Sequence, residues 1–135
     1  MCRTMRIGPD VWGPMLWNLI HAYSLNYPVT PTTLDRLKAR RYYDAIPRFI
    51  PCPSCAIHFQ QILDRSPPIT DSRAALTEWA YDAHNEVNIS IGKPTFSMED
   101  FMRKYSPTIK DNQPVPGIVC YFTGVAISGI FHSMF

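Results

Sequence analysis

Charge is scarce in this 135-residue chain. Charged residues make up 18%, and 13 basic residues stand against 11 acidic ones, a net +2. Nucleic-acid binding asks for Lys and Arg clustered on a markedly basic domain. The only such cluster, Arg36, Lys38, Arg40 and Arg41, reads as the solvated face of a helix. No nucleic-acid partner is expected. A second CxxC is also missing, and the histidines at 21, 58, 84 and 132 stand singly. Structural zinc wants two close ligand pairs, so no metal is expected. Met1–Asp10 has no apolar run of the length a secretory leader needs. Internal repeats are absent, and no segment alternates strictly enough to mark a strand.

What is present is apolar. At 46% hydrophobic residues the chain is long enough to bury a core as one domain. Helical spacing of Trp12, Leu16, Leu19/Ile20 and Tyr23 marks a first helix over Val11–Leu25, with Trp17, His21 and Ser24 as an adjacent stripe. Thr32 or Thr33 would cap a second helix to about Ala45, interrupted by Pro47. Cys52–Leu63 reads as a third, with Pro53 at its first position, where a missing N–H costs nothing. Thr70 or Asp71 would cap a fourth to about Asn88, burying Leu76, Ala80, Ala83 and Val87. Ser97, with Asp100 three residues on, opens a short fifth helix ending near Tyr105. The expected class is all-α, a small bundle over residues 1–105 with Pro-marked connections.

Beyond the linker 106–116, residues 117–135 contain no Asp, Glu, Lys or Arg. Nineteen helical residues rise about 28 Å, close to the hydrocarbon thickness of a bilayer. The favoured expectation is an apolar C-terminal helix that contacts or spans a membrane. A buried core helix is the alternative.

Cys52-Pro53-Ser54-Cys55 carries the chemistry. At a helix N-terminus, unpaired N–H groups and the helix dipole stabilise a thiolate. Two intervening residues keep both sulfurs on one turn. A structural or metal role remains open on the motif alone. A thioredoxin-like dithiol carrier would need a strand before the motif and a parallel sheet around it, and the pattern supplies neither.

Trp12-Gly13-Pro14 with Trp17 and His21, then Tyr27-Pro28, Cys52-Pro53-Ser54-Cys55-Ala56, His84-Asn85-Glu86-Val87-Asn88 and Gly92-Lys93-Pro94 together resemble the Erv/ALR family of FAD-dependent sulfhydryl oxidases. The resemblance spans about Val11 to Tyr105, and the single cysteine pair is similar to the subgroup of large DNA viruses. It implies a four-helix bundle with a short fifth helix, FAD at the bundle end, and a homodimer. It also implies an activity: electrons pass from partner dithiols through Cys52 and Cys55 to FAD and then O2, giving hydrogen peroxide. Cys52 would meet the substrate and Cys55 the flavin. The implied cofactor contacts are Gly13, Trp17, His21, Cys55, Tyr81, His84, Asn85, Val87, Asn88, Lys93, Lys104 and Tyr105.

By their spacing alone, Trp17 and His21 would also fit a core pair, and Lys93 a solvated side chain. Three polar residues close together on an otherwise apolar helix, His84, Asn85 and Asn88, are costly unless partnered. Departures from the family pattern are visible. Its second, structural disulfide would fall at Tyr81 and Met98, Pro14 replaces a common Arg, and Lys104 and Tyr105 stand where a basic residue and a Trp often follow. Packing must therefore hold the fifth helix. Cys2 and Cys120 would pair, link protomers or be inert, and His58 either tunes the thiolate or lies on the surface. The resemblance implies a small thioredoxin-like carrier as electron donor, and a virion or host-cytoplasm setting, with the mitochondrial intermembrane space as alternative. A non-enzymatic helical membrane adaptor with a structural CxxC, and a flavin-free carrier, are the competing functions.

Overall fold

A computed structural model describes residues 7–105. Cys2, Cys120, His132, the linker and the apolar tail lie outside these residues. Five α-helices follow in order: α1 Pro9–Leu25, α2 Thr33–Ala45, α3 Pro53–Arg65, α4 Arg73–Ser90 and α5 Met98–Tyr105. A 3₁₀ turn, Ile46–Phe49, links α2 to α3. There is no strand among the described residues, so the thioredoxin-like sheet is not built here.

Local chemistry sets the helix starts. Thr32 and Asp35 form a capping box: the Asp35 N–H donates to Thr32 Oγ1 at 3.2 Å and the Thr32 N–H to Asp35 Oδ2 at 2.9 Å. The Thr32 hydroxyl also donates to Asp35 Oδ2 at 2.7 Å, and this bond, then that from the Thr32 N–H, holds the Asp35 carboxyl below its ordinary pKa. Pro47 forces the chain after Ala45 into the 3₁₀ turn, where its missing N–H falls at the start of a new element. Ser97 caps α5 by accepting the Asp100 N–H at 3.1 Å.

The start of α4 differs from the expectation. Ser72, not Thr70 or Asp71, is the cap, accepting the Ala75 N–H at 3.1 Å. Thr70 is instead buried, its carbonyl receiving the Tyr27 hydroxyl at 3.0 Å. Asp71 pairs with Arg36 at 2.8 Å on the surface. Burial thus removed Thr70 from the capping role and an ion pair removed Asp71.

α1 runs antiparallel to α4. Tyr27, just past the end of α1, meets Thr70 before α4, while Trp17 stacks on His84 near its far end. Between them lie Ile20, Tyr43, Leu76 and Ala80, all fully buried. The Tyr43 hydroxyl donates to the Ile20 carbonyl at 3.0 Å and the Trp79 indole N–H to the Ser66 carbonyl at 2.8 Å. Buried aromatics therefore satisfy their polar ends on backbone carbonyls.

Candidate functional site

Cys52 and Cys55 are joined as a disulfide with Cα atoms 5.2 Å apart. Cys52 is the N-cap of α3, and its Sγ accepts the Cys55 N–H at 3.3 Å. The Ser54 hydroxyl lies 3.3 Å from the same sulfur. When the bond opens, that N–H and the helix N-terminus favour Cys52 as a thiolate.

Both cysteines are half-buried. Pro53 and Ile57 form an exposed stripe of α3, whereas Cys55 shares its stripe with Phe59 and Ile62, both in the core. Phe59 meets Trp17 edge-on at 6.1 Å between ring centroids. Trp17 in turn stacks on His84 at 3.9 Å and 5° between planes. His21 completes the group: its Nε2 is 2.8 Å from His84 Nδ1, a hydrogen bond joining residues 63 apart in sequence. An aromatic path therefore runs inward from the Cys55 side of the disulfide to the α1–α4 interface.

Both imidazoles are held neutral. Burial, then the neighbouring His84 and Lys104, lowers the His21 pKa to about 3. Burial, then Lys104 and Lys93, lowers that of His84 to about 4. Two exposed lysines from different segments therefore raise the potential over one buried histidine pair. Gly92, at φ +72°, turns the chain back after α4 in a conformation that favours glycine. The Lys93 N–H then closes onto the Asn88 carbonyl at 2.8 Å, which fixes where Lys93 emerges. Lys104 Nζ lies over the Tyr105 ring at 5.1 Å, and that ring is 4.4 Å from His21.

Several candidate residues have other partners. The Tyr81 hydroxyl donates to the Phe96 carbonyl at 2.8 Å. Asn85 clasps the same residue, donating to its carbonyl at 3.0 Å and accepting its N–H at 3.1 Å. Phe96 and the fully buried Phe101 pack edge-on against Tyr81 at 5.5 and 5.7 Å. This cluster pins the α4–α5 connector and α5 to the bundle, at the place where the expected second disulfide is lacking. Val87 packs against the core. Asn88 is buried, and among the described residues its amide makes no hydrogen bond. A Cβ at Gly13 would meet nothing within 4 Å, so α1 is open there, one turn before Trp17.

Sequence reasoning passed over Phe59, Phe96 and Phe101. Only the position of Phe59 four residues after Cys55 hinted at its place. His58 is half-buried and joins no hydrogen bond among the described residues. A cleft of about 320 Å³ between α3 and α4, lined by Ile62, Trp79 and Asp82 among others, lies on another face of α4. Among the described residues no three His, Cys, Asp or Glu side chains converge as metal ligands do, and no helix is long and apolar enough to cross a membrane.

The arrangement fits a large, flat, anionic group. His21 Nδ1 is buried with no partner among the described residues, Asn88 lies on the same helix face as His84, and two lysines supply positive charge beside stacked rings. Such buried polar atoms call for a partner.

The chain resembles known proteins along most of its length. It is 37% identical over 100 residues to the FAD-linked sulfhydryl oxidase erv2 of Schizosaccharomyces pombe, covering 72% of this chain and 52% of that one. A protein of Acanthamoeba polyphaga mimivirus, named as a probable FAD-linked sulfhydryl oxidase, is 31% identical over 107 residues, 76% of this chain and 74% of its own. The crystal structure of the yeast Erv1 core superposes with a TM-score of 0.67 at 29% identity, over 84% of this chain and 96% of that one. The chain spans about half the length of the first curated relatives it matches. Residues 14–106 match the model of the Erv1 / Alr family, and to that family this chain belongs.

Proposed function

We propose that this chain is an FAD-linked thiol oxidase that forms disulfides in partner proteins. One observation carries the reading: the half-buried disulfide at the start of α3 shares, through Cys55, the helix stripe of Phe59, which meets the stacked Trp17–His84–His21 group. The names of the relatives support the same activity and cofactor.

The thiol chemistry follows from the placement of the sulfurs. A substrate thiolate attacks Cys52 Sγ, and the S–S bond breaks with Cys55 leaving as a thiolate. The second substrate thiolate attacks the mixed disulfide at the substrate sulfur, and Cys52 departs. Its departure is eased because the Cys55 N–H and the α3 N-terminus stabilise the thiolate. Two substrate thiols become one disulfide, and two electrons and two protons remain on the Cys52–Cys55 pair. Bound FAD would supply the two-electron route from that dithiol to O2, with hydrogen peroxide as product, a route that cysteine alone lacks. Trp17, His21, His84 and Asn88 would hold the ring systems, with Tyr105 beside them. Lys93 and Lys104 would meet the diphosphate, and Gly13 leaves room for close approach. Tyr81 and Asn85 serve the site by holding Phe96 in place.

Val11, Met15 and Leu19 on α1, with Leu34 and Leu37 on α2, leave apolar side chains in solvent. A second copy of the chain covering them, as a homodimer, accounts for that exposure. The proposed setting is an infected cell's cytoplasm or virion proteins, in keeping with the viral relative, or the mitochondrial intermembrane space, in keeping with mitochondrial ones. The charge-free residues 117–135 are the proposed membrane-contacting segment and a thioredoxin-like protein the proposed donor.

Purified full-length protein should be yellow, absorb in the flavin band and consume O2 when given dithiothreitol. Cys55→Ser should lose turnover and keep its flavin. A folded, colourless protein that consumes no O2 refutes the oxidase, and O2 uptake by Cys55→Ser refutes the role given to Cys55.

A further inference from the structure

The chain on either side of Cys52 carries exposed apolar side chains. Phe49 is 75% exposed and Ile57 62% exposed, although both are large hydrophobic residues. Pro51 and Pro53 are exposed beside them and Ile50 is half-buried. Phe49 ends the 3₁₀ turn three residues before Cys52, and that turn packs against α3. Ile57 lies one turn along α3 from Pro53, on its outer stripe. Arg48 is exposed at the rim and makes no ion pair among the described residues.

Exposed hydrophobic residues scattered singly need no explanation. A group of them flanking a reactive cysteine in the chain, on a turn packed against its helix, is different, because an attacking protein thiol must bring its own neighbouring residues close to them. Sulfur-to-sulfur bonding leaves the adjoining side chains of the two chains within a few ångströms of each other. The rigid proline rings hold the surface open at little further entropy cost.

Resting on the oxidase reading, we infer that Phe49, Pro51, Pro53 and Ile57 form a docking collar selecting protein dithiols whose cysteines are flanked by apolar side chains. Arg48 favours a carboxylate at the edge of the same partner segment. Small hydrophilic dithiols reach Cys52 without using the collar. The chemistry is the exchange already described, with substrate oxidised and Cys52–Cys55 reduced, so discrimination lies in the encounter and not in the electron balance.

The test reads that exchange without flavin turnover. Oxidised full-length protein is mixed anaerobically with a reduced Cys-x-x-Cys peptide flanked by Leu and Phe, or with one flanked by Gly and Ser. Quenching with an alkylating reagent and mass measurement then follows reduction of the Cys52–Cys55 bond. Burying one large side chain on a collar such as this corresponds to a preference of about tenfold or more for the apolar peptide. Phe49→Ser combined with Ile57→Ser should bring the ratio of the two rates near one. Both side chains are largely in solvent, so the fold survives the change. Equal rates for the two peptides in the native protein, or an undiminished ratio in the double variant, overturn the collar. A protein that exchanges selectively yet consumes no O2 would instead sink the oxidase reading and leave the collar standing.

Discussion

Acidification should unfold this protein through His21 and His84. Both folded-state pKa values, about 3 and about 4, lie below the ordinary 6.5 of histidine. Above pH 6.5 both imidazoles are neutral folded or unfolded, and the burial has no pH-dependent cost. Below 6.5 the unfolded chain takes up protons that the buried pair refuses, so stability falls as pH drops. The fall continues until the folded-state values are reached. From pH 7 to pH 5 the two pKa differences correspond to about 2 kcal/mol for each histidine, and about 4 kcal/mol for the pair. That is a large share of the ~5–15 kcal/mol typical of a domain. The Asp35 contribution is lost only below about pH 4. Burial raises the Asp82 pKa, which acts with the opposite sign. Urea midpoints followed by far-UV circular dichroism at pH 7 and pH 5 measure the loss. His84→Gln keeps a hydrogen-bonding partner for His21 and removes one titrating group, so its loss should be about half. A native protein equally stable at both values, or a His84→Gln variant with the full loss, would refute the buried neutral pair.

Two further outcomes are expected. Tyr81→Phe should lower stability by about 1 kcal/mol and Asn85→Ala by about 2, the worth of the bonds to Phe96, seen as a lower melting temperature. An unchanged melting temperature in both variants would mean that this cluster does not hold α5. Leu19→Glu combined with Leu37→Glu should convert a dimer to a monomer in sedimentation velocity, with the helical spectrum retained. A native protein that sediments as a monomer removes the proposed interface.

Much of the helix pattern was readable without coordinates because its signals are local. Prolines mark the breaks, Thr32 with Asp35 announces α2, and Ser97 announces α5. The CPSC motif shows its own place at a helix start, since Pro53 needs no N–H donor there. Ser72 escaped notice because Thr70 and Asp71 have equally good capping side chains. Thr70 is buried and Asp71 pairs with Arg36, and local spacing encodes neither. The candidate site divides in the same way. Spacing put Trp17 with His21, and His84 with Asn88, on common helix faces.

That Trp17 would lie flat on His84, and that His21 would share a proton with it, depended on antiparallel packing of two helices distant in sequence. Packing likewise gave Tyr81 and Asn85 to the Phe96 backbone. Residue types and short spacings name the chemistry, because caps, turns and paired cysteines act within a few residues. Which polar group is answered, and which is left waiting at the site, is settled only when remote helices meet and exclude water.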